Sequence, residues 1–359
     1  MSATPTVSVA VHHTASPKPR PADASLGFGT VFTDHMFMCE YEPERGWTNA
    51  RIEPYHDLSL DPAAAVLHYA QAVFDGLKAF RSSDGTVRLF RPRNHAERLV
   101  TSAERLCIPP PVVDDVLHSF TSLVSVDRDW VPHAIGTSLY VRPVIVATEP
   151  FLGVRPATRY LYYVILSPVG AYYARGLAPV RILVTDQYVR AVEGGIGAAK
   201  AAANYAASLL AAEDAHRLGF DQVLWLDGVH HCYLDEVGTM NIMLRIGDQV
   251  LTPQLGGAIL AGVTRDSVLT LLRDWGIPLS ERPVSIDEVA AAAQEGTLRE
   301  MWGTGTAASI SPVGELGYRG QRLIINGGGI GELTQRLFDA LRGIQYGTSP
   351  DHHGWMVEI

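Results

Sequence analysis

The sequence predicts a mixed α/β protein (α+β in places) of two domains, and three observations carry that expectation. The chain has 359 residues, enough for two separate hydrophobic cores. Strand-like and helix-like segments alternate along it in two runs, parted by a Gly- and Pro-bearing stretch. The second run holds a lysine in a word of almost nothing but Gly and Ala, Gly194-Gly195-Ile196-Gly197-Ala198-Ala199-Lys200-Ala201-Ala202-Ala203-Asn204-Tyr205.

Taken in order, residues 1–25 carry Pro5, Pro17, Pro19 and Pro21 among Ser, Thr and paired His, with no apolar stretch. They read as a disordered lead-in and not as a signal peptide. A smaller α/β domain is expected over 26–168. Its apolar patterning places strands at 36–41, 87–90, 138–146 and 160–166, and helices near 67–74, 92–106 and 112–126. Ser167-Pro168-Val169-Gly170 and Arg175-Gly176-Leu177-Ala178-Pro179 mark an interdomain connector, bounded as 169–180. A larger, cofactor-binding domain is expected over 181–359, opening with a strand at 180–185. After the lysine word come a helix from about 201 to 218, ended by Gly219, and an apolar strand at 222–226. Ala261-Gly262-Val263-Thr264-Arg265-Asp266 reads as a glycine turn with Thr264 as N-cap, leading into a helical run at 267–275 stopped by Gly276. Gly303-Thr304-Gly305-Thr306-Ala307-Ala308 is a small-residue loop rich in hydroxyls, and the alanines of 290–293 form a plain helix.

Composition narrows the field without deciding it. A hydrophobic content of 47% is ordinary for a globular protein. The formal charge of -9 argues against a nucleic-acid partner, whose phosphates it would repel. Cys39, Cys107 and Cys232 show no framework spacing, as expected of a protein in a reducing cytoplasm. No run approaches the roughly 18 apolar residues of a membrane span.

The chemistry starts at Lys200. Lysine is rarely buried without a partner, and no acidic residue lies closer along the chain than Glu193. Small, apolar surroundings favour the neutral, nucleophilic amine, which suits a Schiff base with a carbonyl group. A solvated lysine opening an Ala-rich helix is the bland alternative, and what lies downstream weighs against it. Leu234-Asp235-Glu236-Val237-Gly238-Thr239-Met240-Asn241 supplies acids, and the glycine turn before residue 267 supplies a helix N-terminus. Pyridoxal phosphate needs these three things: a lysine for its aldehyde, an acid for its ring nitrogen, and backbone N–H groups for its phosphate.

The words Phe32-Thr33-Asp34-His35-Met36, Leu67-His68-Tyr69-Ala70, Phe74-Asp75-Gly76-Leu77-Lys78-Ala79-Phe80-Arg81, Leu139-Tyr140-Val141-Arg142-Pro143, Thr148-Glu149-Pro150 and Gln222-Val223-Leu224-Trp225-Leu226 then extend the pattern. With them the chain resembles the branched-chain amino-acid aminotransferases, within the fold-type-IV pyridoxal-phosphate enzymes. The likeness runs from about Phe28 to Gly347. It implies a cofactor in a cleft between two domains, and a homodimer with no nucleic-acid or membrane partner. Lys200 would form the internal aldimine and shuttle the proton. Glu236 would pair with the pyridinium nitrogen and Tyr205 with the ring hydroxyl. Arg98 would join Val263, Thr264 and Thr306 on the phosphate, its planar fork suiting that anion. Arg190 is placed near the cofactor as well. On the substrate side the resemblance implies that Phe28, Tyr69, Phe74 and Tyr140 line an apolar box. Thr239 and Ala307 would lie near the carboxylate end, and Arg142 would take the side-chain carboxylate of glutamate. Leu152 and Val154 would reach in from the other subunit. Without the resemblance, each aromatic reads as plain core packing.

The implied reaction is a ping-pong transamination between L-leucine, L-isoleucine or L-valine and 2-oxoglutarate. Several positions depart from the family pattern. Ile196 follows the double glycine where Thr or Val is usual, and Ala202 and Ala203 stand where glycines are common. Ala261 replaces a proline, and Ala308 and Ser311 stand where the mammalian enzymes carry a Cys-x-x-Cys pair. A specialised biosynthetic aminotransferase, a D-amino-acid transaminase and an aminodeoxychorismate-lyase-like enzyme are the alternatives within the fold. Outside it, Gly303-Thr304-Gly305-Thr306-Ala307-Ala308 formally matches a dinucleotide fingerprint. The following Ser309-Ile310-Ser311-Pro312 reads as strand into turn and not as the helix that fingerprint needs. The paired histidines His12-His13, His230-His231 and His352-His353 read as solvated loops, and no metal is expected.

Overall fold

A computed structural model describes residues 7–170 and 177–359. The chain forms two compact units. The first takes in Met1–Ala174, Ala199–Ala203 and Gly343–Ile359, and the second takes in Arg175–Ala198 and Asn204–Arg342. The first unit contains β1 (Ala10–Val11), β2 (His35–Glu42), β3 (Gly46–Pro54), α1 (Ala65–Tyr69), β4 (Ala72–Phe74), β5 (Leu77–Arg81) and β6 (Val87–Phe90). These are followed by α2 (Pro92–Arg105), α3 (Val113–Val126), β7 (Ser138–Ala147) and β8 (Tyr160–Val169). The second contains β9 (Val180–Thr185), α5 (Leu209–Arg217), β10 (Gln222–Leu226), β11 (Leu234–Val237), β12 (Met240–Ile246) and β13 (Gln249–Thr252), with α4 (Ala202–Ala207) spanning the unit boundary before α5. It continues through α6 (Val263–Asp274), β14 (Leu279–Glu281), α7 (Ile286–Gln294), β15 (Leu298–Gly305), β16 (Ser309–Tyr318) and β17 (Gln321–Ile324). Helix α8 (Glu332–Gln345) leads the chain back to β18 (Met356–Glu358) at the edge of the first sheet.

Each unit is built on one nine-stranded sheet. The first runs β1-β3-β2-β8-β7-β5-β6-β18 with β4 also on β7, and the second runs β11-β10-β9-β16-β15-β12-β13-β14 with β17 on β16. Strand residues alternate faces, and one face of the first sheet is covered by α2 and α3. Their apolar stripe of Ala96, Leu99, Ala103, Val116, Phe120 and Leu123 packs on Leu77, Leu139, Val141, Val164 and Leu166. In the second unit α5 lays Ala211 and Ala215 on Val223 and Trp225 of β10. Among the described residues no helix is long and apolar enough to cross a membrane.

Several expectations need correcting. The lead-in is not disordered over residues 7–25. Val7 and Val9 pack against the first core and β1 pairs with β3. Lys18 donates its backbone N–H to Asp34 at 2.8 Å and its Nζ to the Thr33 carbonyl at 2.8 Å. Alternating valines and a lysine with two fixed partners outweigh the prolines. Residues 1–6 of that stretch, and 171–176 of the expected connector, lie outside the described residues. Before that gap, β8 runs on through Ser167, Pro168 and Val169, which pair with Tyr140, Leu139 and Ser138. β2 pairs with β8 only as far as Ile165, so Pro168 lies beyond the β2 ladder and its missing N–H is tolerated. The helix expected at 67–74 ends at Tyr69, because Ala70 takes a left-handed backbone (φ 49°) and the chain turns extended into β4. The helix expected over 201–218 is broken at Ser208, whose Oγ donates to the Tyr205 carbonyl at 2.7 Å. Thr264 is not an N-cap, since α6 begins one residue earlier with Gly262 in that place. β16 does not turn at Pro312 but continues to Tyr318.

The unit boundaries also differ from 26–168 and 181–359. The C-terminal 17 residues, Gly343–Ile359, and the lysine segment Ala199–Ala203 both belong to the first unit. The lysine segment is held there by hydrogen bonds. Phe74 N–H donates to the Lys200 carbonyl at 3.0 Å, Lys200 N–H donates to Ser102 Oγ at 2.9 Å, and Val73 bridges to Ala201. Ala202 packs its methyl against the cluster of Met36, Met38, Ala72, Val146 and Leu161. Neither Ala202 nor Ala203 has a positive φ, so the extra methyls do not strain the lysine turn.

Candidate active site

The first unit gathers Lys200 and most of the expected substrate residues. With its main chain fixed on β4 and α2, Lys200 places Nζ 5.1 Å from the centre of the Phe74 ring. The Arg142 guanidinium lies 4.7 Å from the same ring and 5.1 Å from that of Tyr140, whose hydroxyl accepts from Arg142 Nη2 at 3.0 Å. Phe28 meets Tyr140 edge-on at 5.2 Å. Such aromatic–cation contacts fix side chains that have one apolar and one polar end. Gly76 makes this possible, since a Cβ there would overlap the Tyr140 hydroxyl. Tyr69, half exposed at the end of α1, donates its hydroxyl to the Leu152 carbonyl. Leu152 and Val154 themselves are 65% and 87% exposed.

Arg98 is not the surface arginine that its helix alone would suggest. Its Nε and Nη2 donate to the two oxygens of Asp75, each at 2.8 Å, and Asp75 has no solvent exposure. His95, one turn earlier on α2, contacts the same carboxylate through Nδ1 at 2.7 Å. Burial alone would raise the Asp75 carboxyl, but the Arg98 charge and its hydrogen bonds hold it well below the usual range. Burial depresses His95, so the neutral ring donates its Nδ1–H to an ionised Asp75.

The second unit brings Glu236, Thr239, Thr306, Ala307 and the start of α6 to one face and one end of its sheet. Glu236, 3% exposed on β11, accepts the Leu260 backbone N–H on Oε1 at 2.8 Å. Its Oε2 lies 3.3 Å from Arg190 Nε. Arg190 in turn donates through Nη2 to the Gly197 carbonyl at 3.2 Å and to the Ala258 carbonyl. Glu236 stands opposite Asn241 on β12, which stands opposite Thr304 on β15. Directly paired strand residues share a face, so the three form a row. Thr239 lies in the exposed turn between β11 and β12, with Thr306 and Ala307 half-buried in the turn between β15 and β16. Register places both turns at the same end of the sheet. Val263 and Thr264 open α6, and the Gly262 carbonyl accepts the Asp266 N–H at 3.0 Å, the first bond of the helix. Half-buried Tyr205 sits on α4.

Two features suit this face to a phosphorylated pyridine. The N-terminus of a 12-residue helix, Val263–Asp274, carries the partial positive charge that suits an anion. Thr304 Oγ1, buried in the row beside Glu236 and Asn241, has no hydrogen-bond partner among the described residues. Sequence reasoning missed Asp75, His95, Ser102 and Asn241. The spacing of His95 and Arg98, which puts both on one helix face, was the available signal for the first pair. The others depend on contacts between segments distant in the chain, Ser102 of α2 with the Lys200 N–H and Asn241 of β12 with the Leu260 carbonyl.

Residues 72–316 match the family described as Amino-transferase class IV. The chain belongs to that family. Over 98% of its length this class IV aminotransferase is 52% identical to branched-chain-amino-acid aminotransferase 2 of Bacillus subtilis (strain 168), 97% of which is covered. The crystal structure of the Escherichia coli branched-chain amino acid aminotransferase superposes with a TM-score of 0.77 at 26% identity, covering 90% of this chain and 98% of that one. The branched-chain amino acid aminotransferase of Thermobaculum terrenum, in its PLP form, shares the fold (TM-score 0.73, 23% identity, 90% of this chain and 98% of that one). The class IV aminotransferase fold expected from the sequence is therefore the one observed.

Proposed function

We propose that this chain transfers the amino group between L-leucine, L-isoleucine or L-valine and 2-oxoglutarate, using pyridoxal 5'-phosphate and giving branched-chain 2-oxo acids and L-glutamate. The observation that carries this reading is the match at 52% identity over nearly the full chain to a branched-chain-amino-acid aminotransferase. Bound pyridoxal phosphate supplies a carbonyl for amine exchange and a ring that accepts electrons.

The chain's own residues supply the rest. Lys200 provides the amine, and its nitrogen moves the proton at the substrate α-carbon. Glu236, fixed by the Leu260 amide and Arg190, holds the proton of the ring nitrogen. Tyr205 serves the ring hydroxyl. Arg98, Val263, Thr264 and Thr306 serve the phosphate, with Arg98 oriented by Asp75. Phe28, Tyr69, Phe74 and Tyr140 form the apolar box, and Arg142, already on the Tyr140 hydroxyl, takes the side-chain carboxylate of glutamate. Thr239 and Ala307 lie at the carboxylate end. The protein acts as a cytoplasmic homodimer, with Leu152 and Val154 entering the partner's site.

The test is the visible spectrum of the purified protein. The cofactor band should bleach with L-leucine and return with 2-oxoglutarate, which covers both half-reactions and the chirality. A band indifferent to L-leucine but bleached by a D-amino acid would overturn the substrate assignment. Absence of any band after adding pyridoxal phosphate would overturn the cofactor.

A further inference from the structure

The loop that leads into α6 is fastened to the sheet through one residue, Leu260. Its N–H donates to Glu236 Oε1 at 2.8 Å, and its carbonyl accepts from Asn241 Nδ2 at 2.9 Å. Both main-chain polar groups of Leu260 are thus satisfied by neighbouring side chains in the same row, and Leu260 and Asn241 are 9% and 5% exposed. Two residues on, Gly262 is the N-cap of α6, and a Cβ there would overlap Asn241 Oδ1. Asn241 therefore presses its carboxamide against the chain at the point where the helix begins. The orientation is forced, because a carbonyl can only accept and the amide nitrogen must face Leu260. An aspartate would set an acceptor against an acceptor, and a leucine would leave the carbonyl unanswered.

We propose that Asn241 is a positioning residue for the cofactor phosphate: through Leu260 and Gly262 it fixes the N-terminus of α6 at a set distance from the Glu236 carboxylate. This rests on the reading of the α6 N-terminus as the phosphate site. The spacing matters because pyridoxal phosphate carries its phosphate on a short methylene arm of the same ring whose nitrogen Glu236 would hold, so the reach between the two is bounded. Two anchors at the wrong separation could not both be used. The carboxamide acts through the backbone it holds, at the Leu260 carbonyl and against Gly262.

The experiment compares pyridoxal 5'-phosphate with pyridoxal, which lacks the phosphate, in absorbance titrations of the full-length apo-protein. The ratio of the two dissociation constants measures the phosphate's contribution. Asn241→Leu and the isosteric Asn241→Asp are expected to lower that ratio by about tenfold, as loss of one buried hydrogen bond would, while pyridoxal binding is retained. Asn241→Asp, which keeps shape and volume, serves if Asn241→Leu fails to fold. Val263→Pro is the control. It removes one opening amide at a helix position that tolerates proline, after a residue already extended (φ -72°, ψ 128°). If Val263→Pro lowers the ratio and the Asn241 variants do not, the positioning role is overturned and the phosphate site stands. If Val263→Pro leaves the ratio unchanged, the phosphate site is wrong and the inference falls with it.

Discussion

Asp75 shows how one residue governs a charge it does not share with any ligand. Fully buried, it is acceptable only because Arg98 and His95 surround it. Asp75→Ala would remove the carboxylate that Arg98 and His95 both donate to. Breaking a buried pair from one side costs on the order of 3–5 kcal/mol. The variant should therefore melt well below the parent and lose pyridoxal phosphate on dialysis, measured by thermal unfolding and by cofactor absorbance. An unchanged melting point would contradict the reading. Asp235, next to Glu236 but on the opposite face of β11, behaves differently. Burial pushes its carboxyl up to about 6, despite Arg190, and Oδ2 finds no partner among the described residues. A carboxyl raised in the folded state stabilises below its unfolded value near 4, and that contribution is lost as pH rises through about 6. Asp235→Asn should thus gain thermal stability relative to the parent as pH rises from about 4 to about 7. A pH-independent difference would show that Asp235 does not titrate in this window.

At the scale of elements, the two helices that matter most are positioned from outside their own sequence. Helix α8 is preceded by Gly327-Gly328-Gly329-Ile330-Gly331, which contains no capping side chain. Its cap comes from Glu300 on β15, 5% exposed, which accepts from Leu333 N–H at 3.1 Å and from Thr334 N–H and Oγ1 at 2.8 Å. Glu300→Ala would leave those donors buried and unmatched, at about 1–3 kcal/mol. The expected result is a lower melting temperature with the cofactor spectrum unchanged, and equal melting would refute the cap. The same remoteness explains what the sequence shows and what it hides. Strands β6, β9 and β10 are legible at their full lengths, and α2 to within a residue, because each carries its own periodicity and stop signals. The start of α6 reads wrongly from Thr264, a good local cap, because the position of Gly262 is decided by contact with Asn241 from another strand. In the same way Lys200, Glu236 and Arg98 stand out by residue type and motif. Their supports Ser102, Leu260 and Asp75 are ordinary residues whose role exists only once the sheet is formed.

For the whole molecule, the loop at 150–154 holds an apolar surface that none of the described residues covers. Phe151, Leu152 and Val154 are 39%, 65% and 87% exposed, beside Leu67 at 59% and Tyr69 at 39%. The loop is braced. Phe151 N–H donates to the Ala63 carbonyl at 3.0 Å, Pro150 bridges to Ala64, and the Tyr69 hydroxyl donates to the Leu152 carbonyl. Arg155 stacks 4.1 Å from the Phe151 ring while pairing with Glu149 at 2.7 Å. Exposed apolar side chains on a preformed loop lose little conformational freedom when covered, which favours association. If a second copy covers this loop and Val154 enters its site, then Val154→Asp puts a charge where water is excluded. The parent should sediment as a dimer at micromolar concentration. Val154→Asp should shift toward the monomer, with transamination falling as the protein is diluted, while its melting curve still shows two folded units with intact sheets. A parent that sediments as a fully active monomer would remove the loop from the site and leave Phe28, Phe74 and Tyr140 to form the apolar box from one chain.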